Sequence, residues 1–99
     1  MPYYALIGHD RPGSLELRKR HRDAHLANLR ALDKAGRVRH AGPMLDDSGA
    51  ACGSVVIFEA ASLQAAQALA ASDAYVIEGI FERYEVRETR VVFPESPSG

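Results

Sequence analysis

A long segment without helix breakers constrains the fold of this chain most. Residues 15–35 contain neither proline nor glycine and consist largely of good helix formers. Gly36 follows where a helix C-terminus favours a left-handed residue, and Ser14 precedes the segment in a capping position. A short aromatic and β-branched stretch at residues 3–8, ended by a turn at residues 10–13, predicts a strand before this helix.

The rest of the chain predicts three more strands and a second helix. Residues 38–43 and 53–59 have strand composition, and a turn at residues 46–49 joins them as a hairpin. Ser62 is the predicted cap of an alanine-rich helix that ends near residues 72–73. A short helical turn at residues 75–78 follows, and the alternating residues 81–92 predict the closing strand.

This order of elements, βαββαβ, is the ferredoxin-like arrangement. It places an antiparallel four-stranded sheet under two helices that share one face. The apolar run from Val55 to Phe58 in the third strand indicates that both faces of the sheet are covered. A second copy of the chain, packed sheet against sheet, is the simplest cover, and we therefore expect an α+β fold that forms a homodimer.

Composition limits the classes of protein to which the chain can belong. Its 99 residues are 46% hydrophobic and 25% charged, so we expect one domain over residues 1–93 and a disordered tail at residues 94–99. The formal net charge of -1 provides no field that would attract nucleic acid or a membrane surface, and neither is expected as a partner. The sequence shows no membrane span or signal peptide, which favours a cytoplasmic location. The single cysteine, Cys52, is interpreted as a packing residue.

The first helix carries polar side chains on its predicted inner face. At about 100° per residue, the leucines at positions 15, 26, 29 and 32 fall on one arc that should face the sheet. Arg18, Arg22 and His25 lie inside the same arc. Because burying such groups unpaired costs a few kcal/mol each, they must find partners or line a cavity open to ligand and water. The two arginines can also extend their charged heads beyond the sheet edge.

His25 has two interpretations. One is a core histidine bonded to a backbone carbonyl, and the other is a proton shuttle, because imidazoles titrate near neutral pH. A shuttle needs an orienting carboxylate, for which the candidates are Asp10, Asp46, Asp47 and Asp73. Asp73 is favoured because it lies at a helix end that the fold can return to the sheet edge. Its alternative role is the N-cap of the following helical turn.

Other motifs are less specific. His21 and His25 are four residues apart, a spacing at which two imidazoles can share a metal, but the sequence places no further ligand and we expect no metal. His9 and His40 are expected to be surface or hydrogen-bonded residues, with His9 the better alternative for catalysis. The sequence contains no phosphate loop, dinucleotide fingerprint or nucleophile elbow, and we expect no cofactor.

Several short segments, spread over nearly the whole chain, resemble the YciI-like (YCII-related) family. These segments are RDAHLANL at 22–29, GRV at 36–38, AGP at 41–43, GS at 53–54, SDAYV at 72–76 and GIF at 79–81. The resemblance implies a ferredoxin-like fold that dimerises into an α+β barrel, similar to muconolactone isomerases. It also implies an active site with one histidine and one aspartate.

The resemblance assigns roles by position. The family histidine falls on His25 and the family aspartate on Asp73. Arg22 matches the arginine one turn before the histidine, and Ser54 matches the serine that opens the third strand. The chain departs from the family at Ala74, where proline is usual, and in its short hairpin between the second and third strands.

Together these observations predict a cofactor-independent enzyme in which His25 is the general base and acid and Asp73 fixes its tautomer. Arg22 and Arg18 are expected to hold an anionic group of the substrate, and Ser54 to position it. The matching chemistry is proton transfer, by isomerisation or elimination, on a small cyclic or lactone-like anionic substrate. The alternative is a non-catalytic dimer that binds a small metabolite or mediates association.

Overall fold

The structure is a computed structural model that describes residues 1–95, so residues 96–99 of the predicted tail lie outside the described part. Its elements follow the predicted order, with a short third helix before the last strand. They are β1 (Tyr3–Asp10), α1 (Leu15–Lys34), β2 (Val38–Leu45), β3 (Ala51–Glu59), α2 (Leu63–Ala71), α3 (Ala74–Ile77) and β4 (Phe81–Thr89).

The four strands form one antiparallel sheet in the order β2-β3-β1-β4. The two central strands, β1 and β3, are not joined directly, because α1 and β2 lie between them in the chain. Strand order and chain order together give the ferredoxin-like topology, and this prediction is confirmed. Among residues 1–95 no helix has the length and apolar composition that crossing a membrane requires.

The main core lies between the sheet and the helices. Tyr4 and Leu6 of β1 and Val56 and Phe58 of β3 all point to the same face, because side chains two residues apart in a strand share a side. They pack against the small inner residues of α2, which are Ala66 and Ala70. A second cluster, formed by Tyr75, Ile80 and Phe81, fills the end of the sheet under α3. The helices therefore cover one face of the sheet.

The strands extend further than the sequence predicts. In β1, His9 and Asp10 still pair with β4, with an irregularity between them. β2 and β3 continue almost to the hairpin, whose turn is closed by Asp46 and Gly49. β4 instead ends at Thr89, which pairs with the first residue of β1, and residues 90–95 have no strand neighbour.

The two predicted helix caps differ. The Ser62 hydroxyl accepts a hydrogen bond from the backbone N–H of Ala65 at 3.1 Å, so this cap is confirmed. Ser14 lies at the N-cap position of α1 but makes no capping bond with its side chain, and that prediction is wrong. Its backbone is not in the extended conformation that aims a cap side chain at the first turn.

Two predictions of burial are also wrong. Cys52 is exposed, because it lies in the first residues of β3 beside the hairpin. In α1, Leu15 is exposed, although helical spacing places it on the inner arc. Arg22 on the same arc is exposed too, in agreement with the prediction that its charged head reaches an open cavity.

Helix α1 lies on the sheet with incomplete contact. Its two buried residues are the polar Arg18 and His25, whereas Leu26, Leu29 and Leu32 on the same arc are only half-buried. An apolar face this open is unusual against a sheet, because close packing normally fills such space. Two cavities lie beside His25 as a result, and they define the candidate site.

Candidate functional site

His25 and Asp73 form the centre of the site. The Nδ1 atom of His25 lies 2.8 Å from one carboxylate oxygen of Asp73 and 2.9 Å from the other. Both side chains are about nine-tenths buried, with 10% and 9% of their areas exposed. Helix α1 supplies the imidazole, and the junction between α2 and α3 supplies the carboxylate. The structure therefore brings together the two residues that the sequence proposed as a pair.

Two alternative arrangements that the sequence allowed do not occur: Asp73 as a side-chain cap of α3, and another carboxylate as the partner of His25. Asp73 is the N-cap residue of α3, but its side chain makes no capping hydrogen bond because both oxygens are directed at His25. The other candidate carboxylates are turned elsewhere: Asp10 pairs with Arg18, Asp46 accepts bonds within its own turn, and Asp47 is exposed in the same turn. Hydrogen bonds lower the pKa of Asp46 below its ordinary value, and the bond from the Ser48 hydroxyl is the largest single cause.

Tyr75 holds the imidazole plane and was not among the candidate site residues. Its ring stacks on His25 with 3.9 Å between centroids and 6° between planes. The phenol donates a hydrogen bond to the backbone carbonyl of Arg18 at 3.2 Å, and Phe81 packs edge-on against the ring. Burial raises the pKa of Tyr75, so the phenol remains protonated at neutral pH. The tyrosine two residues after Asp73 in the segment SDAYV was the available sequence signal.

The Arg18 guanidinium is bound to other groups of the same chain. It forms a two-pronged ion pair with Asp10, whose side chain is only 5% exposed. Its Nη2 group also donates to the Gly53 carbonyl at 2.7 Å and to the Ser54 hydroxyl at 3.0 Å. The guanidinium carbon lies 4.9 Å from the centroid of the Tyr75 ring. Arg18 therefore ties α1 to the ends of β1 and β3.

The larger cavity beside His25 has a volume of about 610 Å³ and lies between α1 and the β2–β3 side of the sheet. Arg22 and Lys19 contribute positive charge to its lining, and Ser54 contributes a hydroxyl. Arg22 makes no hydrogen bond to any residue within the described 1–95. The sequence-predicted substrate residues Arg18, Arg22 and Ser54 thus share one cavity with His25.

The second ring nitrogen of His25 is free within the described part of the chain. Nδ1 is taken by Asp73, whereas Nε2 has no hydrogen-bond partner among residues 1–95. Among the same residues, every side-chain nitrogen or oxygen that is inaccessible to solvent has a hydrogen-bond partner. It follows that Nε2 is reachable by solvent. If Nδ1 carries the proton toward the carboxylate, Nε2 presents a lone pair to an incoming molecule.

The remaining histidines lie outside this arrangement. His21 approaches Glu78 at 3.7 Å rather than sharing a ligand with His25. His9 pairs within the sheet opposite Gly53 and Arg83, and His40 lies in β2. Within residues 1–95 no three side chains of the histidine, cysteine and acidic types come together as potential metal ligands.

Fold and site define the class of this protein: an α+β protein of ferredoxin-like topology with a buried histidine–aspartate pair at a cavity beneath its first helix. The chain belongs to the YCII-related family, because residues 2–90 match the YCII-related domain. It is 45% identical over 96 residues to protein YciI of Escherichia coli, covering 91% of this chain and 98% of that protein. A protein of Haemophilus influenzae is 37% identical over 97 residues, covering 92% of this chain and 99% of the relative.

A solved structure resembles the whole fold. It is 5-chloro-2-hydroxyhydroquinone dehydrochlorinase from Burkholderia phenoliruptrix, in complex with 2,5-dihydroxybenzoquinone. The TM-score is 0.80 at 29% sequence identity, and the match covers 89% of this chain and 93% of that chain. The family resemblance found in the sequence is confirmed by these comparisons.

Proposed function

We propose that this protein is a cofactor-independent enzyme that transfers a proton on a small cyclic, anionic substrate, with His25 as base and acid. The observation that carries the proposal is the buried bond between His25 and Asp73 beside a cationic cavity. The dehydrochlorinase activity of the protein with the similar fold favours elimination over isomerisation. Fold similarity alone would not support a reaction type, since one fold supports many chemistries.

The proposed reaction starts with Nε2 of His25 taking a proton from a saturated carbon of the substrate. A chlorinated hydroquinone has saturated carbons that carry the proton and the chlorine only in its diketo tautomer, which is then the reacting form. In an elimination, the electron pair of that C–H bond becomes a new double bond to the neighbouring carbon. The bond from that carbon to the leaving group breaks, and the leaving group departs with its electron pair. The imidazolium then returns its proton to solvent, or to another substrate carbon if the reaction is an isomerisation.

Asp73 has two effects in this proposal. A carboxylate at Nδ1 holds the proton on that nitrogen, so that Nε2 is the basic atom. Its negative charge also stabilises the imidazolium that forms when His25 accepts a proton. Tyr75 fixes the ring plane, so the basic lone pair has one direction relative to the cavity.

Substrate binding is assigned to Arg22, Ser54 and Arg18. Arg22 offers a guanidinium without a protein partner in residues 1–95, which suits a carboxylate or a ring oxyanion. Arg18 holds the Ser54 hydroxyl and keeps one nitrogen, Nη1, without a hydrogen bond in the same part of the chain. The proposed working unit is a cytoplasmic homodimer of the domain at residues 1–93, in which the half-buried outer face of the sheet packs against a second copy.

The decisive experiment measures both the tautomer of His25 and the turnover of trial substrates. Long-range proton–nitrogen NMR of the wild type should show the His25 proton on Nδ1, and Asp73→Asn should lose that preference. Chloride release from 5-chloro-2-hydroxyhydroquinone, the substrate named for the similar structure, and proton–deuterium exchange into small lactones should both depend on His25. His25→Ala should lose turnover while the protein stays folded, and His21→Ala is the matched control. Equal turnover in His25→Ala and His21→Ala would refute the proposal.

The second candidate function is a non-catalytic dimer that binds a small metabolite. The cavity of about 610 Å³ favours it as much as it favours catalysis, because binding needs no proton transfer. Saturable binding of cyclic anions that depends on Arg22, together with no exchange or chloride release under the same conditions, would select this function.

A further inference from the structure

A second cavity lies on the Asp73 side of the histidine–aspartate pair. It has a volume of about 330 Å³ and lies between α1, α2 and the sheet. Its apolar wall consists of Leu6, Leu29, Leu32, Val56, Phe58 and Leu69. This volume is at the lower end of small-molecule sites and about twice that of an engineered cavity known to hold benzene.

The half-buried leucines of α1 indicate that the smaller cavity is a regular feature of the fold. Leu29 and Leu32 lie on the helix arc that faces the sheet, yet both remain half-buried in the folded chain. Leaving leucines beside empty space forfeits contacts that protein interiors normally make. A molecule with an apolar surface would restore those contacts without moving the helix.

Asp73 adds a polar requirement to the same cavity. Its carboxylate lines the cavity, and both oxygens face a single partner within residues 1–95, the Nδ1 atom of His25. An ionised carboxylate has about four acceptor positions, so most of them are unused by these residues. A ligand that donates a hydrogen bond would find a charged acceptor in an otherwise apolar space, where such a bond is strong.

The two cavities beside His25 differ in chemistry. In the larger one three cationic side chains outnumber one carboxylate, that of Glu16, which suits an anion; the cations are Arg18, Lys19 and Arg22. The smaller one is lined mainly by apolar side chains, and its two charged side chains, Asp73 and Arg37, have opposite signs. The Arg37 guanidinium already donates to the Glu59 carbonyl. The larger cavity therefore favours an anion, whereas the smaller one favours an uncharged molecule.

We propose that the smaller cavity binds an uncharged single-ring molecule that carries one hydrogen-bond donor, of the phenol class, with the ring against the leucines and the donor on Asp73. Such a ligand shares Asp73 with His25 and so contacts the pair from the side opposite the proposed substrate. The inference concerns binding and holds whether or not the protein turns over a substrate.

The test uses fluorine NMR with para-fluorophenol and with fluorobenzene, which has the same ring and no donor. The wild type should bind para-fluorophenol with a Kd on the order of a millimolar or tighter. Fluorobenzene should bind at least about tenfold more weakly, because it lacks the charge-assisted hydrogen bond. Equal binding of the two probes, or no saturable binding of para-fluorophenol, would overturn the proposal.

Two variants of α1 locate the site. Leu32 lines only the smaller of the two cavities and Leu26 only the larger, so Leu32→Trp and Leu26→Trp are matched substitutions. Leu32→Trp should weaken para-fluorophenol binding at least about tenfold by filling the cavity, and Leu26→Trp should leave it unchanged. The opposite pattern would place the phenol with the arginines and contradict the inference.

A measurement on the wild type covers the case in which a tryptophan variant fails to fold. Nuclear Overhauser contacts between bound para-fluorophenol and the methyl groups of Leu32 and Leu69 are expected. Contacts to the methyl groups of Leu15 and Leu26 in their place would overturn the assignment.

Discussion

Replacing Arg18 by methionine should destabilise the fold strongly, although the sequence presents this residue as a substrate contact. The change keeps much of the aliphatic stem and removes the guanidinium. Asp10 would then lose its side-chain partner while remaining about 95% buried, since only 5% of its side chain is exposed. The Gly53 carbonyl and the Ser54 hydroxyl would each lose a donor as well.

The expected magnitude follows from this geometry. Removing one partner of a buried, hydrogen-bonded ion pair costs about 3–5 kcal/mol, mostly because the other charge stays buried. Since a domain has only about 5–15 kcal/mol of stability, this loss is a large fraction of the total. At roughly 4–8 °C per kcal/mol for a domain of this size, a loss of about 4 kcal/mol lowers Tm by roughly 16–32 °C.

Urea unfolding and calorimetry of the purified protein measure the effect, with Arg22→Met as the control. Arg22 is on the same helix but exposed, so its substitution should change the free energy of unfolding by about 0.5 kcal/mol or less. Combining Arg18→Met with Asp10→Asn should cost about 1–3 kcal/mol less than the sum of the single variants. If Arg18→Met unfolds like Arg22→Met, or if the effects of Arg18→Met and Asp10→Asn simply add, the ion pair does not stabilise the fold.

Three further predictions concern local packing and charge. Because burial raises the pKa of Tyr75 above its ordinary value of 10.0, its contribution to stability should be complete below that pH and lost as the pH rises. Urea unfolding across alkaline pH should show a shallower decline for Tyr75→Phe than for wild type, and an identical decline would contradict this. Ser62→Ala should lower the free energy of unfolding by about 1 kcal/mol, because its capping bond is lost. Ser14→Ala has no capping bond to lose and should lower it by about 0.5 kcal/mol or less. Equal losses in the two variants would refute the cap assignment. Gly8→Ala should cost about 1–3 kcal/mol of unfolding free energy, since a β-carbon there would lie 2.6 Å from the Phe81 ring, and a stabilising effect would show that the ring moves freely.

The elements of the fold were predictable because local interactions determine them. Glycine, proline and capping residues separate the segments, and hydrophobic periodicity distinguishes helix from strand. The turn at residues 46–49 and the Ser62 cap occur as predicted, since each is completed by hydrogen bonds within a few residues. Strand ends were predicted less well, because they depend on where a neighbouring strand stops.

In the candidate site, too, local features were predictable from the sequence and long-range contacts were not. Helical periodicity by itself determined that Arg18 and His25 lie on the inner face of α1. Only the tertiary structure decided their partners, since His25 meets a carboxylate 48 residues away and Arg18 meets groups 8, 35 and 36 residues away. A local pattern contains no information on which of several aspartates will be near, and Asp73 could equally have capped α3. The bond to His25 prevails because the fold places a buried imidazole beside it, where an unpaired carboxylate would be costly.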